Sequence, residues 1–206
     1  MERSPVPKPR PTIRRVQRTT ARRGFSLPEL LITVLVMAIL AGAMIPYFRS
    51  ADPERLTGIA ETCLAEFDYA RNLAVTNNSK YRLTFSVSGN KFYLEHSGTN
   101  SALASLPPSP YDLPTDPPTR HTTDIAKSPI AGVKLFAVVT RGSSVANTTT
   151  LEFNPLGNTT AADKTEIWFV VNQGANARYI SVTINPVTGL TDLGAFTARA
   201  PTLPSS

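Results

Sequence analysis

The sequence predicts an α+β fold: a long N-terminal helix, transmembrane in its first half and amphipathic in its second, packed on an antiparallel β-sheet domain. Three observations carry this. An uncharged apolar run extends from Leu30 to Phe48, an apolar stripe with helical spacing follows it, and beyond Asn77-Asn78 the residues switch to short β-branched and aromatic runs separated by turn signals.

Each element can be justified in turn. Residues 1–24 are polar and rich in Arg and Pro, a composition with almost nothing to bury, and they are set apart from the fold as a basic leader. Residues 25–52 form the membrane-spanning half of the helix. The 19 uncharged residues from Leu30 to Phe48 would reach about 28 Å as a helix, close to the ~30 Å hydrocarbon core of a bilayer. Arg22 and Arg23 orient the span, keeping the N-terminus cytoplasmic and sending everything after Arg49 outward.

Residues 53–76 form the amphipathic half, with Asp52 as the expected N-cap and Pro53 at the first helical position. Leu56, Ile59, Ala60, Cys63, Leu64, Phe67, Ala70 and Ala74 recur at three- and four-residue steps, with Glu54, Arg55, Glu61, Glu66 and Asp68 mostly off the stripe. The stripe should lie against a sheet. A helix running from Phe25 to Thr76 would span about 78 Å, with a possible break between Pro46 and Pro53.

Residues 77–195 form the antiparallel β domain, with runs at 81–87, 92–95, 133–140, 150–153, 166–171 and 179–184. Ser88-Gly89-Asn90, Asn154 to Asn158 and Asn185 to Gly189 read as turns between them. The seven prolines between residues 101 and 131 make that stretch a long surface loop, and residues 196–206 a flexible tail.

Composition limits the function classes. A chain of 206 residues has room for one ordinary domain plus an anchor or tail, which weighs against a two-domain enzyme. The pI of about 9.7 suggests an anionic partner until the charge is located. Residues 1–24 hold eight basic side chains against Glu2, leaving 13 basic and 14 acidic residues after Gly24. With only Arg178 and Arg199 basic beyond Thr165, the balance points away from nucleic acid.

Cys63 is the single cysteine, so no intrachain disulfide forms. His96 and His121 lack metal-ligand spacing, and Asp112, Asp116 and Asp124 are scattered without an EF-hand pattern. No catalytic, metal or cofactor residues are therefore assigned.

The informative stretch is Arg22-Arg23-Gly24-Phe25-Ser26-Leu27-Pro28-Glu29-Leu30-Leu31 ahead of the apolar run. It resembles the class III signal of type IV prepilins and type II secretion pseudopilins. That resemblance implies cleavage between Gly24 and Phe25 by a prepilin peptidase, methylation of the new Phe25 amine, and an assembly role for Phe25 and Glu29. It also implies a helix-loosening role for Pro46. Pro28 departs from the family pattern, where a plain aliphatic residue is usual, yet a proline is tolerated in a helix's first turn.

Physical reasons support these assignments. Gly24 lets the chain pass extended through a narrow cleft. Glu29 heads an apolar span, where a charged residue at mid-membrane costs about 2.5–3.5 kcal/mol unless neutralised. The amine freed at Phe25 is the nearest cation available. The rival reading is an ordinary signal peptide with an A-x-A site at Ala41-Gly42-Ala43, which would make Met44 the mature N-terminus of a secreted β-rich binding domain.

Further segments narrow the resemblance. Asp68 to Val75, Phe153 to Gly157 and Ile184 to Gly189 are similar to the GspH/FimT group of minor pseudopilins. The group implies a long helix packed on antiparallel strands, a place at or near a filament tip, and other pilin or pseudopilin subunits as partners, with the inner membrane as anchor. A DNA-uptake minor pilin remains an alternative.

Overall fold

The computed structural model describes residues 25–44, 51–108 and 115–204. The chain divides into two units, one ending at Arg49 and the other beginning at Ser50.

The first unit contains helix α1, Leu27–Met44. Long unbranched and aliphatic side chains favour the helix, and Pro28 costs it nothing because the first-turn N–H groups have no intrahelical partner. Its apolar side chains are exposed on every face, from Leu27 through Ile32 and Met37 to Leu40. Among the described residues no helix is long and apolar enough to cross a membrane. The 18 residues of α1 rise about 27 Å, short of a ~30 Å hydrocarbon core. The apolar run ends at Phe48, and residues 45–50, including Pro46, lie outside the described residues.

The second unit opens with α2, Asp52–Thr76. Its stripe is buried at Leu56, Ile59, Ala60, Cys63, Phe67, Ala70, Leu73 and Ala74. Two expectations need correction. Asp52 lies inside the helix and is not its cap. The N-cap is Ala51, which caps nothing with its side chain, while the Asp52 carboxylate accepts a 2.7 Å hydrogen bond from Asn172 Nδ2. Glu66 is buried on the stripe's side of the helix, since its three-residue offset from Cys63 brings it onto the same face.

Antiparallel strands follow: β1 Tyr81–Ser86, β2 Lys91–His96, β3 Arg120–Asp124, β4 Val133–Arg141, β5 Val145–Asn147, β6 Thr150–Phe153, β7 Lys164–Val171, β8 Arg178–Ile184 and β9 Thr191–Leu193. They form two sheets, ordered β3-β2-β1-β6 and β5-β4-β7-β8-β9. The fold is therefore α+β, with α2 packed on strands of both sheets around one core.

Strand periodicity separates the faces. Tyr81, Leu83 and Phe85 of β1 point inward with Phe92 and Leu94 of β2. On the other face, register places Glu152, Arg82, Glu95 and Arg120 side by side across β6, β1, β2 and β3. Arg82 bonds Glu152 at 3.1 Å and Arg120 bonds Glu95 at 2.6 Å, so this row alternates in charge and belongs to a solvated face.

The turn residue Asn90 links the sheets. At φ +52°, its Oδ1 accepts from Leu135 N–H at 2.6 Å and its Nδ2 donates to the Val133 carbonyl at 3.4 Å. The amide thus serves as a partner for the β4 backbone.

Two further stretches differ from expectation. Residues 101–131 are not loop throughout, because β3 pairs with β2 along Arg120–Asp124. His121, Thr122 and Thr123 lie in the proline-free gap between Pro118 and Pro129, where backbone donors are available to a ladder. Leu106 and Ile125 are buried within the same stretch. The tail is not free at its start, since Thr197 bridges to Tyr179 of β8.

Candidate functional site

Phe25 and Ser26 precede α1, and Gly24 lies outside the described residues. The Ser26 carbonyl accepts the Glu29 and Leu30 amides at 3.0 and 3.1 Å, so Ser26 is the N-cap and Glu29 the third helical residue. Glu29 Oε2 reaches back to within 3.5 Å of Ser26 N–H. Ser26-Leu27-Pro28-Glu29 thus has the spacing of a capping box. Its carboxylate also sits at the positive end of the helix dipole, where negative charge is favoured. Phe25 is 73 % exposed one residue before the cap. Fold and spacing bring Phe25 and Glu29 to one end of α1, with apolar side chains covering the rest of its surface.

A second convergence lies in the β domain, where three segments far apart in the chain meet. From α2, Arg71 Nε donates to the Gly157 carbonyl at 3.2 Å and to the Thr188 carbonyl at 3.0 Å. One turn earlier, Asp68 Oδ1 accepts from Thr191 Oγ1 at 2.8 Å. Thr159 N–H donates to Pro186 O at 2.9 Å, tying the two loops together. Gly157 and Gly189 have φ of +81° and +65°, and a Cβ on Gly189 would land on the Gly157 carbonyl oxygen. Glycine is required there by both backbone conformation and space. The loops carry Leu156 and Val187 at their exposed tips.

The family resemblance marked these three segments separately. That Arg71 holds the other two was invisible in sequence, because its partners are carbonyls 86 and 117 residues away.

Several other polar groups make contacts within the β domain. Burial pushes Glu166 up, but hydrogen bonds from Lys164, Arg141 and the Trp168 indole and the charge of Arg141 outweigh it and hold the carboxyl below its ordinary value. Arg141 lies 3.0 Å and Lys164 3.1 Å from Glu166. Burial, then the Glu66 charge, push the Cys63 thiol up, which suppresses its thiolate. His96 Nε2 lies 2.7 Å from Ser79 Oγ, and His121 Nε2 lies 2.8 Å from the Pro107 carbonyl. Among the described residues, no group of three or more His, Cys, Asp or Glu side chains could hold a metal ion.

Comparison with known proteins assigns the N-terminal segment first to a class. Residues 19–45 match the family model of the prokaryotic N-terminal methylation motif, a prepilin-type motif. Among solved structures, the chain is similar to two crystal forms of the type IV minor pilin FimU of Pseudomonas aeruginosa. One is 16 % identical, with a TM-score of 0.45, covering 69 % of this chain and 90 % of that one. The other is 17 % identical, with a TM-score of 0.43, covering 68 % and 93 %. No curated protein matches the chain.

Proposed function

We propose that this chain is the precursor of a minor pilin or pseudopilin subunit. A prepilin peptidase removes residues 1–24 by cutting between Gly24 and Phe25, and the new Phe25 amine is methylated. Residues 25–52 hold the subunit in the inner membrane, N-terminus cytoplasmic and C-terminal domain outside the cytoplasm. The subunit then joins other pilin-type subunits through its N-terminal helix, in a type II secretion or type IV pilus filament, at or near the tip. It performs no catalysis of its own.

The observation carrying this reading is the methylation-motif match over residues 19–45, which brackets both the Gly24-Phe25 bond and Glu29. The exposure of α1 supports it. A helix apolar on every face needs lipid or other helices around it. The Arg pair before the cut holds the bond at the cytoplasmic interface. Glu29 provides a fixed carboxylate for a neighbouring subunit's Phe25 amine, setting the register in which helices stack.

Mass spectrometry of the mature N-terminus is the direct test. A peptide beginning with N-methyl-Phe25 is expected. A mature chain beginning at Met44 would establish signal-peptidase release instead and remove the proposed anchor.

A further inference from the structure

The loop between β7 and β8 is held in shape by its own polar groups. Asn172, at φ +62°, donates through Nδ2 to the Asp52 carboxylate at the start of α2, at 2.7 Å. Arg178 Nη1 donates back to the carbonyls of Ala175 and Ala177, at 3.3 and 2.8 Å, alongside the short 3-10 turn Gly174–Asn176. The loop is therefore organised before any ligand arrives. Two of its side chains take no part in that. Gln173 precedes the turn without capping it, and among the described residues neither its amide nor that of Asn176 has a hydrogen-bond partner. Both are exposed.

Beside the loop lies the outer face of the second sheet. Register puts Lys134, Val170 and Tyr179 in one row across β4, β7 and β8. Phe136, at the register shift between Leu135 and Ala137, meets Tyr179 edge to face, with centroids 5.1 Å apart and planes at 70°. The two half-buried rings line a cavity of about 290 Å³. A polar cavity of about 520 Å³, reaching Asp52, Asn176 and Arg178, shares Asn172 and Gln173 with it. One cleft thus has an aromatic wall and an amide wall, with the room usual for a small ligand, ~300–1,000 Å³.

We propose that this cleft binds a neutral oligosaccharide of flat, β-1,4-linked hexose units. Such a chain carries C–H groups on its faces and hydroxyls along its edges. Its face lies on the Phe136 and Tyr179 rings, whose negative π faces attract the C–H groups. Its hydroxyls, each both donor and acceptor, pair with the amides of Gln173 and Asn176, which are also both. Asp52 opposes a polyanion, while Lys134 and Arg178 oppose a polycation, so the mixed charge of the walls favours a neutral ligand over a nucleic acid or a basic peptide. The proposal goes beyond the filament reading and does not depend on it.

The test is an NMR titration of the isotope-labelled full chain, in micelles of a detergent without a sugar headgroup, with cellotetraose and with N-acetylchitotetraose. At least one sugar should bind with a Kd below about 10 mM and shift the side-chain amide signals of Gln173 and Asn176. A Gln173→Ala/Asn176→Ala chain, altered only at exposed positions, should bind at least about tenfold more weakly. Tyr179→Ala, with unaltered circular dichroism, should lose at least as much.

No binding of either sugar below about 10 mM, or equal affinity in the Gln173→Ala/Asn176→Ala chain, would overturn the proposal. Binding of oligothymidylate in place of both sugars would assign the aromatic wall to nucleobases and overturn it as well. Should Tyr179→Ala fail to fold, Phe136→Leu takes its place, since it keeps an apolar side chain and removes only the ring. Unchanged sugar affinity in that chain would overturn the stacking on which the proposal rests.

Discussion

Single residues in this protein do work that their neighbours in sequence do not announce. Asn90 occupies a hairpin turn, where a positive φ suits it, yet its amide also serves the backbone of β4 in the other sheet. We predict that Asn90→Ala costs about 1–3 kcal/mol, because Leu135 N–H loses its acceptor in a buried setting. Urea unfolding of the two chains measures it, and a change below about 0.5 kcal/mol would mean that water replaces the amide. Arg71 acts in a similar way, with a single Nε–H spanning two carbonyls from two loops.

At the scale of elements, the two helices have opposite requirements. One stripe of α2 is buried, and Phe67 is its largest anchor, packed at 6.0 Å from Phe85 and 5.3 Å from Phe92 between ring centroids. Phe67→Ala should destabilise the domain by about 3–5 kcal/mol, the transfer cost plus an unfilled cavity, measurable by denaturant unfolding. A loss under about 1 kcal/mol would show that the site collapses around the smaller side chain.

The described side chains of helix α1 are exposed, and its first turn separates two roles for Glu29. As a capping residue, Glu29 is replaceable by Gln. As a charge partner for an amine, it is not. We predict that Glu29→Gln and Glu29→Ala precursors are both cleaved, and that both enter filaments at least about tenfold less than the unaltered chain when assembly depends on the ion pair. Immunoblots of sheared filaments read the result, and normal assembly of Glu29→Gln would reduce Glu29 to a cap.

At the scale of the whole molecule, charge is partitioned by region. Residues 1–24 concentrate basic residues, while the β domain places its ion pairs at named carboxylates. Glu152 and Glu166 both have folded-state pKa values lowered from 4.5. For Glu152, burial raises the pKa, but the neighbouring Ser97 hydroxyl and the Lys80 and Arg82 donors outweigh that effect. A depressed folded pKa means that the unfolded chain takes up protons first as pH falls. The stability from these pairs is then fully present above 4.5 and lost as pH drops through the lower folded values. The melting temperature should stay level from neutral pH to just above that point and then decline, with a shallower decline in Glu166→Gln. Parallel acid declines in the two proteins would assign the loss to other carboxylates.

The fold class, the apolar N-terminal segment and the α2 stripe were legible in sequence because each rests on local periodicity, which few residues suffice to display. The motif around Phe25 and Glu29 was legible for the same reason, being a contiguous string. Other features depended on distant partners. Proline density hid β3, whose pairing is decided by β2; Asp52 looked like a cap until Asn172 supplied a partner; and Glu66 looked solvated until packing fixed which face of α2 turned inward. The tail's bridge to Tyr179 and the Arg71 clamp across Gly157 and Thr188 belong to this second kind. Sequence alone determined what each segment prefers by itself, since side-chain spacing and backbone chemistry act over a few residues. Only tertiary structure decided which backbone groups needed partners from elsewhere, because burial removes water and makes every unmet donor or acceptor costly.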